Sequence, residues 1–122
     1  MILIIGGEAQ GKRTFASSLF DKEPIIADCS VCEPKDVMTA DLIISYHELI
    51  RRYTDKAEEI TEELCKNNPE AVITLNEIGC GIIPIEKRER EYREAAGKSG
   101  CIIAKRAKEV YRLFCGKATK IK

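Results

Sequence analysis

Short apolar runs and longer amphipathic stretches alternate along this chain. The apolar runs are rich in β-branched residues and predict β-strands at residues 2–5, 24–28, 41–45, 71–75 and 109–115, with an edge strand at 118–121. The amphipathic stretches predict helices at residues 12–20, 48–67 and 86–107, with one helical turn after Pro34. This alternation implies a mostly parallel sheet with helices on both faces, which is a three-layer α/β sandwich.

Three details refine this pattern. Residues 71–75 are apolar throughout, as in a central strand of a parallel sheet. The stretch 48–67 changes helical register at Thr54 and Asp55, so we expect two helices there, with Asp55 capping the second. Gly97 and Gly100 weaken the last helical stretch and predict a kink.

Size and charge narrow the class of protein. A chain of 122 residues predicts a single domain, residues 1–122, with one modest core. Twenty basic and twenty acidic residues cancel, so we expect neither nucleic acid nor a membrane as a partner. The chain shows no signal peptide or membrane span, and its six cysteines are scattered through apolar segments. We therefore expect a reduced, cytoplasmic protein.

The first apolar run leads directly into a glycine-rich stretch. Gly6, Gly11 and Lys12 match the phosphate-loop pattern G-x-x-x-x-G-K-[ST], and the final hydroxyl position carries Arg13. In such a loop, backbone N–H groups and the lysine surround a phosphate. The pattern predicts a P-loop NTPase-like fold, with a nucleotide-binding stretch of Gly6, Gly7, Glu8, Ala9, Gln10, Gly11, Lys12, Arg13 and Thr14.

Two questions about this loop stay open in the sequence. The stretch could be a glycine turn that binds no ligand. Arg13 replaces the hydroxyl that ligates Mg²⁺, and Thr14 is turned about 100° away along a helix. Arg13 could place its own charge beside the phosphates, or it could pair with a carboxylate such as Glu8.

Other candidate residues lie at predicted strand ends. Cys29 and Cys32 form a C-x-x-C motif, which we interpret as ordinary thiols because no second ligand pair follows at zinc-site spacing. His47 is the only histidine, and we interpret it as a surface or capping residue at a helix start rather than a catalytic one. Asn76 and Glu77 follow the fourth predicted strand, at the edge where α/β proteins bind ligands.

Two blocks, residues 2–16 and 73–122, resemble the bifunctional adenosylcobinamide kinase / adenosylcobinamide-phosphate guanylyltransferase family of cobalamin biosynthesis. Its signatures GG-x-x-x-GKS, TNE-[VI]-G-x-G-[IV]-[VI]-P and R-[DE]-x-x-G, and its C-terminal tail, keep their order here. Beyond the loop, the matching positions are Asn76, Glu77, Gly79, Gly81, Pro84, Arg93, Glu94, Gly97, Val110, Gly116, Ile121 and Lys122. The resemblance implies GTP or ATP with Mg²⁺, a corrinoid substrate and a homo-oligomer.

The chain also departs from that family. It is shorter between Asp28 and Asp41, where the family carries a helix and the histidine that accepts the guanylyl group. His47 follows the next strand, so that role does not transfer to it. Ser45 stands where the third strand should end in an acidic residue. Lys98, Gly100 and Cys101 replace the family's Arg and Asn-Gln.

These observations leave three functional hypotheses. The first is a kinase in which Lys12 neutralises phosphate charge and Glu77 orients Mg²⁺ or the acceptor hydroxyl. The second is a nucleotide- or anion-binding paralogue without catalysis, acting as a binding or regulatory protein. The third is a structural relic that binds no nucleotide.

Overall fold

The computed structural model describes residues 1–77 and 86–122. Gly79, Gly81 and Pro84, which carry part of the family resemblance, lie outside the described residues. The elements are β1 Ile2–Gly6, α1 Lys12–Ser18, β2 Ile26–Asp28, α2 Pro34–Val37, β3 Leu42–Ile44, α3 Tyr46–Arg52, a 3-10 turn Thr54–Lys56, α4 Ala57–Asn67, β4 Val72–Asn76, α5 Lys87–Arg106, β5 Glu109–Phe114 and β6 Lys117–Lys120.

The strands form one sheet in the order β2-β3-β4-β1-β5-β6. Strands β1 to β5 pair in parallel, and β6 pairs antiparallel to β5. Strand β1 is central, because Ile2 lies opposite both Val72 of β4 and Glu109 of β5. The predicted mostly parallel α/β fold is confirmed.

The two faces of the sheet are covered unequally. Helices α2 to α5 cover one face, the α2–α5 face, and its core includes Leu3, Ile43, Leu64, Ile73 and Ile103. Among the helices in the described residues, α1 alone packs on the other face, which we call the α1 face. The core of the α1 face is the smaller cluster of Ile4, Ala16, Leu42, Ile44, Val72 and Leu113. Alternate residues along β1, β3, β4 and β5 supply the two cores, as the two-residue period requires.

One local expectation needs correction. Asp55 lies inside the 3-10 turn, and Lys56 precedes α4 with no side-chain cap, so the predicted cap is wrong. The turn itself supplies a partner for this backbone, because the Lys56 N–H donates to the Tyr53 carbonyl at 2.9 Å. Helix α5 continues through Gly97 and Gly100. A Cβ on Gly100 would lie 3.3 Å from the Leu75 side chain, which shows how closely the helix approaches the sheet.

Within residues 1–77 and 86–122, no helix combines the length and the apolar character needed to cross a membrane.

Candidate functional site

The phosphate loop joins the central strand β1 to α1, as its motif predicts. Gly6 ends β1, and a Cβ there would come within 2.7 Å of the Leu113 carbonyl oxygen, so β1 and β5 need a glycine at this contact. Gly11 immediately precedes α1 with φ of 93°, a left-handed conformation that glycine adopts without strain. Ala9 also has positive φ, at 55°, which turns the loop sharply between the two glycines.

Neighbouring strands hold the loop in place. The Gln10 carbonyl accepts from the Gly116 N–H at 3.1 Å, and its side-chain oxygen accepts from the Cys115 N–H at 2.6 Å. Both donors lie in the β5–β6 turn, where two consecutive residues have positive φ, as in a tight hairpin. On the other side, the Glu77 N–H donates to the Gly6 carbonyl at 2.9 Å. The loop is therefore fixed by hydrogen bonds from the β5–β6 turn and from the residue that follows β4.

Lys12 extends over this loop. Its Nζ donates to the Gly7 carbonyl at 2.5 Å, so the ammonium group is held at the loop. Burial lowers the pKa of Lys12, while the nearby carboxylates of Glu8 and Glu77 oppose that shift. A partly buried cation beside a glycine-rich loop is the arrangement that phosphate binding requires.

A cleft of about 410 Å³ opens beside the loop at the carboxyl ends of β2, β3 and β4. It is lined by residues 8–14 of the loop together with Asp28, Ser30, Ile44, Ser45, Thr74 and Asn76. Thr14 is part of this lining, so its turn away from Lys12 does not remove it from the site. Gly6 and Gly7 shape the loop but do not line the cleft.

Arg13 and Asp28 both line this cleft. Hydrogen bonds from the Ser30 side chain and backbone lower the pKa of Asp28, and the charge of Arg13 acts in the same direction. The Glu8 carboxylate instead accepts from Asn76 Nδ2 at 2.9 Å. Among the described residues Arg13 forms no ion pair with Glu8, so its charge is directed at the cleft rather than at that carboxylate.

The side-chain oxygen atoms that line the cleft do not form a suitable ligand set for Mg²⁺. Both carboxylates already accept hydrogen bonds, Asp28 from Ser30 and Glu8 from Asn76. Thr74 Oγ1 accepts from the Ser45 N–H at 2.9 Å. Within the described part of the chain, no group of three or more His, Cys, Asp or Glu side chains is placed to hold a metal ion. The permanent charge of Arg13 further disfavours a cation here.

Glu77 is not brought into the cleft. Its carboxylate pairs with Arg112 of β5, with Nε 2.7 Å from Oε1. It borders a separate apolar groove on the α2–α5 face. The strand alternation explains this placement, because Thr74 and Asn76 line the cleft on the α1 side and the next residue leaves it. Glu77 contacts the loop through its backbone N–H, and the charge of its carboxylate raises the pKa of Lys12 against the effect of burial.

His47 occupies a more specific position than the sequence indicated. It is buried, with 7% of its surface exposed, so the interpretation as a surface or capping residue is wrong. Its Nδ1 accepts from the Asn76 N–H at 3.3 Å, and its Nε2 lies 3.3 Å from Glu48 Oε1. Burial lowers the pKa of His47; Glu48 and Glu8 oppose this, and Lys12 and Arg51 reinforce it. The histidine thus supports the end of β4 behind the cleft.

No single sequence signal identified this role for His47. The sequence around a single residue in a helix does not indicate which strand that residue will contact in the folded chain. The order β3-β4-β1, which places α3 beside the end of β4, creates the contact.

Cys29 and Cys32 lie in a turn directly after β2. Their sulfur atoms are 3.9 Å apart, Cys29 is buried, and burial raises the pKa of both thiols. High thiol pKa values disfavour the reactive thiolate, in agreement with the interpretation as ordinary thiols.

A family comparison matches most of the chain. The model of the cobinamide kinase / cobinamide phosphate guanyltransferase family matches residues 21–121. The phosphate loop lies before this range, so its geometry is an observation independent of the match. A search of the curated proteins found no match.

Proposed function

The chain belongs to the cobinamide kinase / cobinamide phosphate guanyltransferase family, and on that premise we propose that it transfers a phosphoryl group from GTP or ATP to a corrinoid alcohol. The observation that carries this proposal is the loop itself. Lys12 is held over a glycine-rich turn that opens onto a cleft of about 410 Å³. That volume is in the range of small-molecule sites. The nucleotide phosphates bind the loop, and the acceptor enters the cleft.

Two carboxylates line the cleft; Glu8 is bound by Asn76, and we assign the acceptor hydroxyl to Asp28. Ser30 occupies Asp28 Oδ1, and its hydrogen bonds keep the pKa of Asp28 low, so this carboxylate is ionised at neutral pH. In the proposed step the acceptor oxygen attacks the γ-phosphorus and the bond to the bridging oxygen breaks. The hydroxyl proton passes to Asp28, and Lys12 and Arg13 stabilise the charge on the phosphate oxygens.

Two substitutions separate binding from transfer. Lys12→Ala should weaken GTP or ATP binding at least about tenfold, or about 1.4 kcal/mol, in calorimetric titrations. Lys22→Ala, an exposed lysine beyond α1, is the matched control and should change nothing. Asp28→Asn should keep nucleotide affinity and lose phosphorylation of cobinamide, measured by mass spectrometry. Unchanged affinity in Lys12→Ala would exclude the loop as the nucleotide site.

Guanylyl transfer through an enzyme-bound intermediate is not part of this proposal. The resemblance implies that the chain is short between Asp28 and Asp41, and the Nδ1 of His47 accepts from the Asn76 N–H behind the cleft. Incubation with labelled GTP, denaturation and mass measurement should show no covalent adduct. An acid-labile adduct that disappears in His47→Ala would restore the full family activity.

A second candidate is a binding or regulatory protein that holds a nucleotide without transferring phosphate. Arg13 and Ser45 favour it, because they stand where Mg²⁺ ligands would be expected. Nucleotide binding by the parent chain, with no phosphorylated cobinamide under any condition, would support this candidate over the kinase. A homo-oligomer and a cytoplasmic location remain predictions for either candidate.

A further inference from the structure

A second cavity lies at the far end of α3 from the phosphate loop. Its volume is about 430 Å³, close to that of the cleft beside the loop. The charged side chains of its lining are Arg51, Arg52, Lys56 and Arg88, with Asp55 and Glu91. Four cations against two carboxylates give this lining a net charge of +2, in a chain whose total formal charge is zero. We call it the arginine pocket.

Two of the arginines are held in place by their own partners. The Arg51 guanidinium lies 3.9 Å from the centre of the Tyr92 ring, and its two terminal nitrogens donate to Glu89 at 3.0 and 3.3 Å. Arg52 donates through one terminal nitrogen to the carbonyls of Cys29 and Cys32. Side chains fixed in this way lose little further freedom when a ligand binds.

The other two cations are available to a ligand. Within the described part of the chain, the side chains of Lys56 and Arg88 have no hydrogen-bond or ion-pair partner, and both residues are exposed. Arg52 retains donors on its guanidinium beyond the nitrogen that contacts the two carbonyls. Guanidinium and ammonium donors that converge on one cavity match the oxygen atoms of a phosphate group.

We propose that the arginine pocket is a second anion-binding site, which takes the phosphate group of a phosphorylated small molecule independently of the phosphate loop. The two sites are separated by α3. Ser45 lines the loop cleft at the start of this helix, and Arg51 and Arg52 line the arginine pocket at its end. Seven helical residues span about 10 Å, so the pocket is distinct from the cleft but adjacent to it.

The test titrates the full chain with inorganic pyrophosphate, GMP and glycerol phosphate in separate experiments. Calorimetry measures the affinity and the number of sites, and NMR of the backbone amides of residues 54–56 reports binding at the arginine pocket. The parent should bind at two sites, and Lys12→Ala should retain the one whose NMR shifts map to residues 54–56. In the Lys12→Ala background, Lys56→Gln combined with Arg88→Gln should weaken that remaining site at least tenfold. Lys66→Gln combined with Lys105→Gln removes two exposed charges from α4 and α5 outside the pocket, and should leave affinity unchanged.

The outcomes distinguish this site from the proposed function. Loss of all binding in Lys12→Ala would overturn the arginine pocket and leave the phosphate loop as the site. Equal weakening by the control pair would also overturn it, because the effect would then be one of net charge. Binding of GMP and glycerol phosphate alike supports recognition of the phosphate group itself, whereas binding of GMP alone supports the site with a nucleotide as its ligand.

Discussion

The two faces of the sheet differ in what they contribute to this small domain: one holds most of the core, and the other holds the candidate site. The α2–α5 face holds most of the buried apolar side chains, whereas the α1 face has a small core beneath one seven-residue helix. The phosphate loop and its cleft belong to the α1 face. Stability is therefore concentrated away from the site, and the site can change its chemistry at little cost to the fold.

The largest expected effect is on the free energy of unfolding, and it is tested by truncating one side chain on each face. Leu64 is fully buried on α4, and Leu64→Ala should cost about 2–5 kcal/mol through the lost contacts and the cavity left behind. Phe15 is half-buried on α1, where its ring meets Tyr111 edge to face at 5.0 Å, and Phe15→Ala should cost less than about 2 kcal/mol. Urea unfolding measures both. An equal cost would show that the α1 face carries as much stability as the other.

A smaller effect is expected at Arg13, where chemistry should change without stability. Arginine cannot ligate a cation, so binding in the parent should be the same with Mg²⁺ and with EDTA. Arg13→Ser should introduce a preference for Mg²⁺ of about tenfold, or about 1.4 kcal/mol, because the serine restores a metal ligand.

The control for Arg13→Ser is Lys22→Ser, which removes an exposed charge without altering the loop. The free energy of unfolding should stay within about 0.5 kcal/mol of the parent in both variants. If the parent already depends on Mg²⁺ as strongly as Arg13→Ser, the interpretation of Arg13 is wrong.

The smallest effect is expected at His47, which joins α3 to the end of β4 behind the cleft. Its pKa is lowered in the folded chain, so the unfolded chain binds a proton first as the pH falls below about 6.5. This contribution to stability is complete above that pH and is lost as the pH falls through the folded pKa. In His47→Asn the amide oxygen can replace Nδ1 as acceptor for Asn76 N–H, so stability near neutral pH should be kept and this part of the pH dependence should disappear. Unfolding at pH 7 and pH 5 checks this, and an unchanged slope would contradict it.

Much of the fold follows from local patterns in the sequence. The apolar run before Gly6 and the pattern Gly11-Lys12 predict strand, loop and helix because each depends only on neighbouring residues. The break between α3 and α4 was also predictable from the change of register near Thr54.

The site was less predictable, because its contacts join residues far apart in the chain. The sequence places Glu77 at a strand end, but its pairing with Arg112 depends on which strand lies beside β1. The burial of His47 likewise depends on the neighbour of β3. Local propensity also favoured Asp55 as a cap, and the 3-10 turn satisfied the backbone in its place.

The contact between Gln10 and the β5–β6 turn has a consequence for the order of folding. Its two partners are separated by 105 residues, among the most distant contacts in the chain. Contacts of high sequence separation form late, because the intervening chain must first be ordered. During synthesis the phosphate loop is made before the β5–β6 turn, and it gains its final shape only after Gly116 has left the ribosome. Ligand affinity should therefore appear only after the β5–β6 turn has formed.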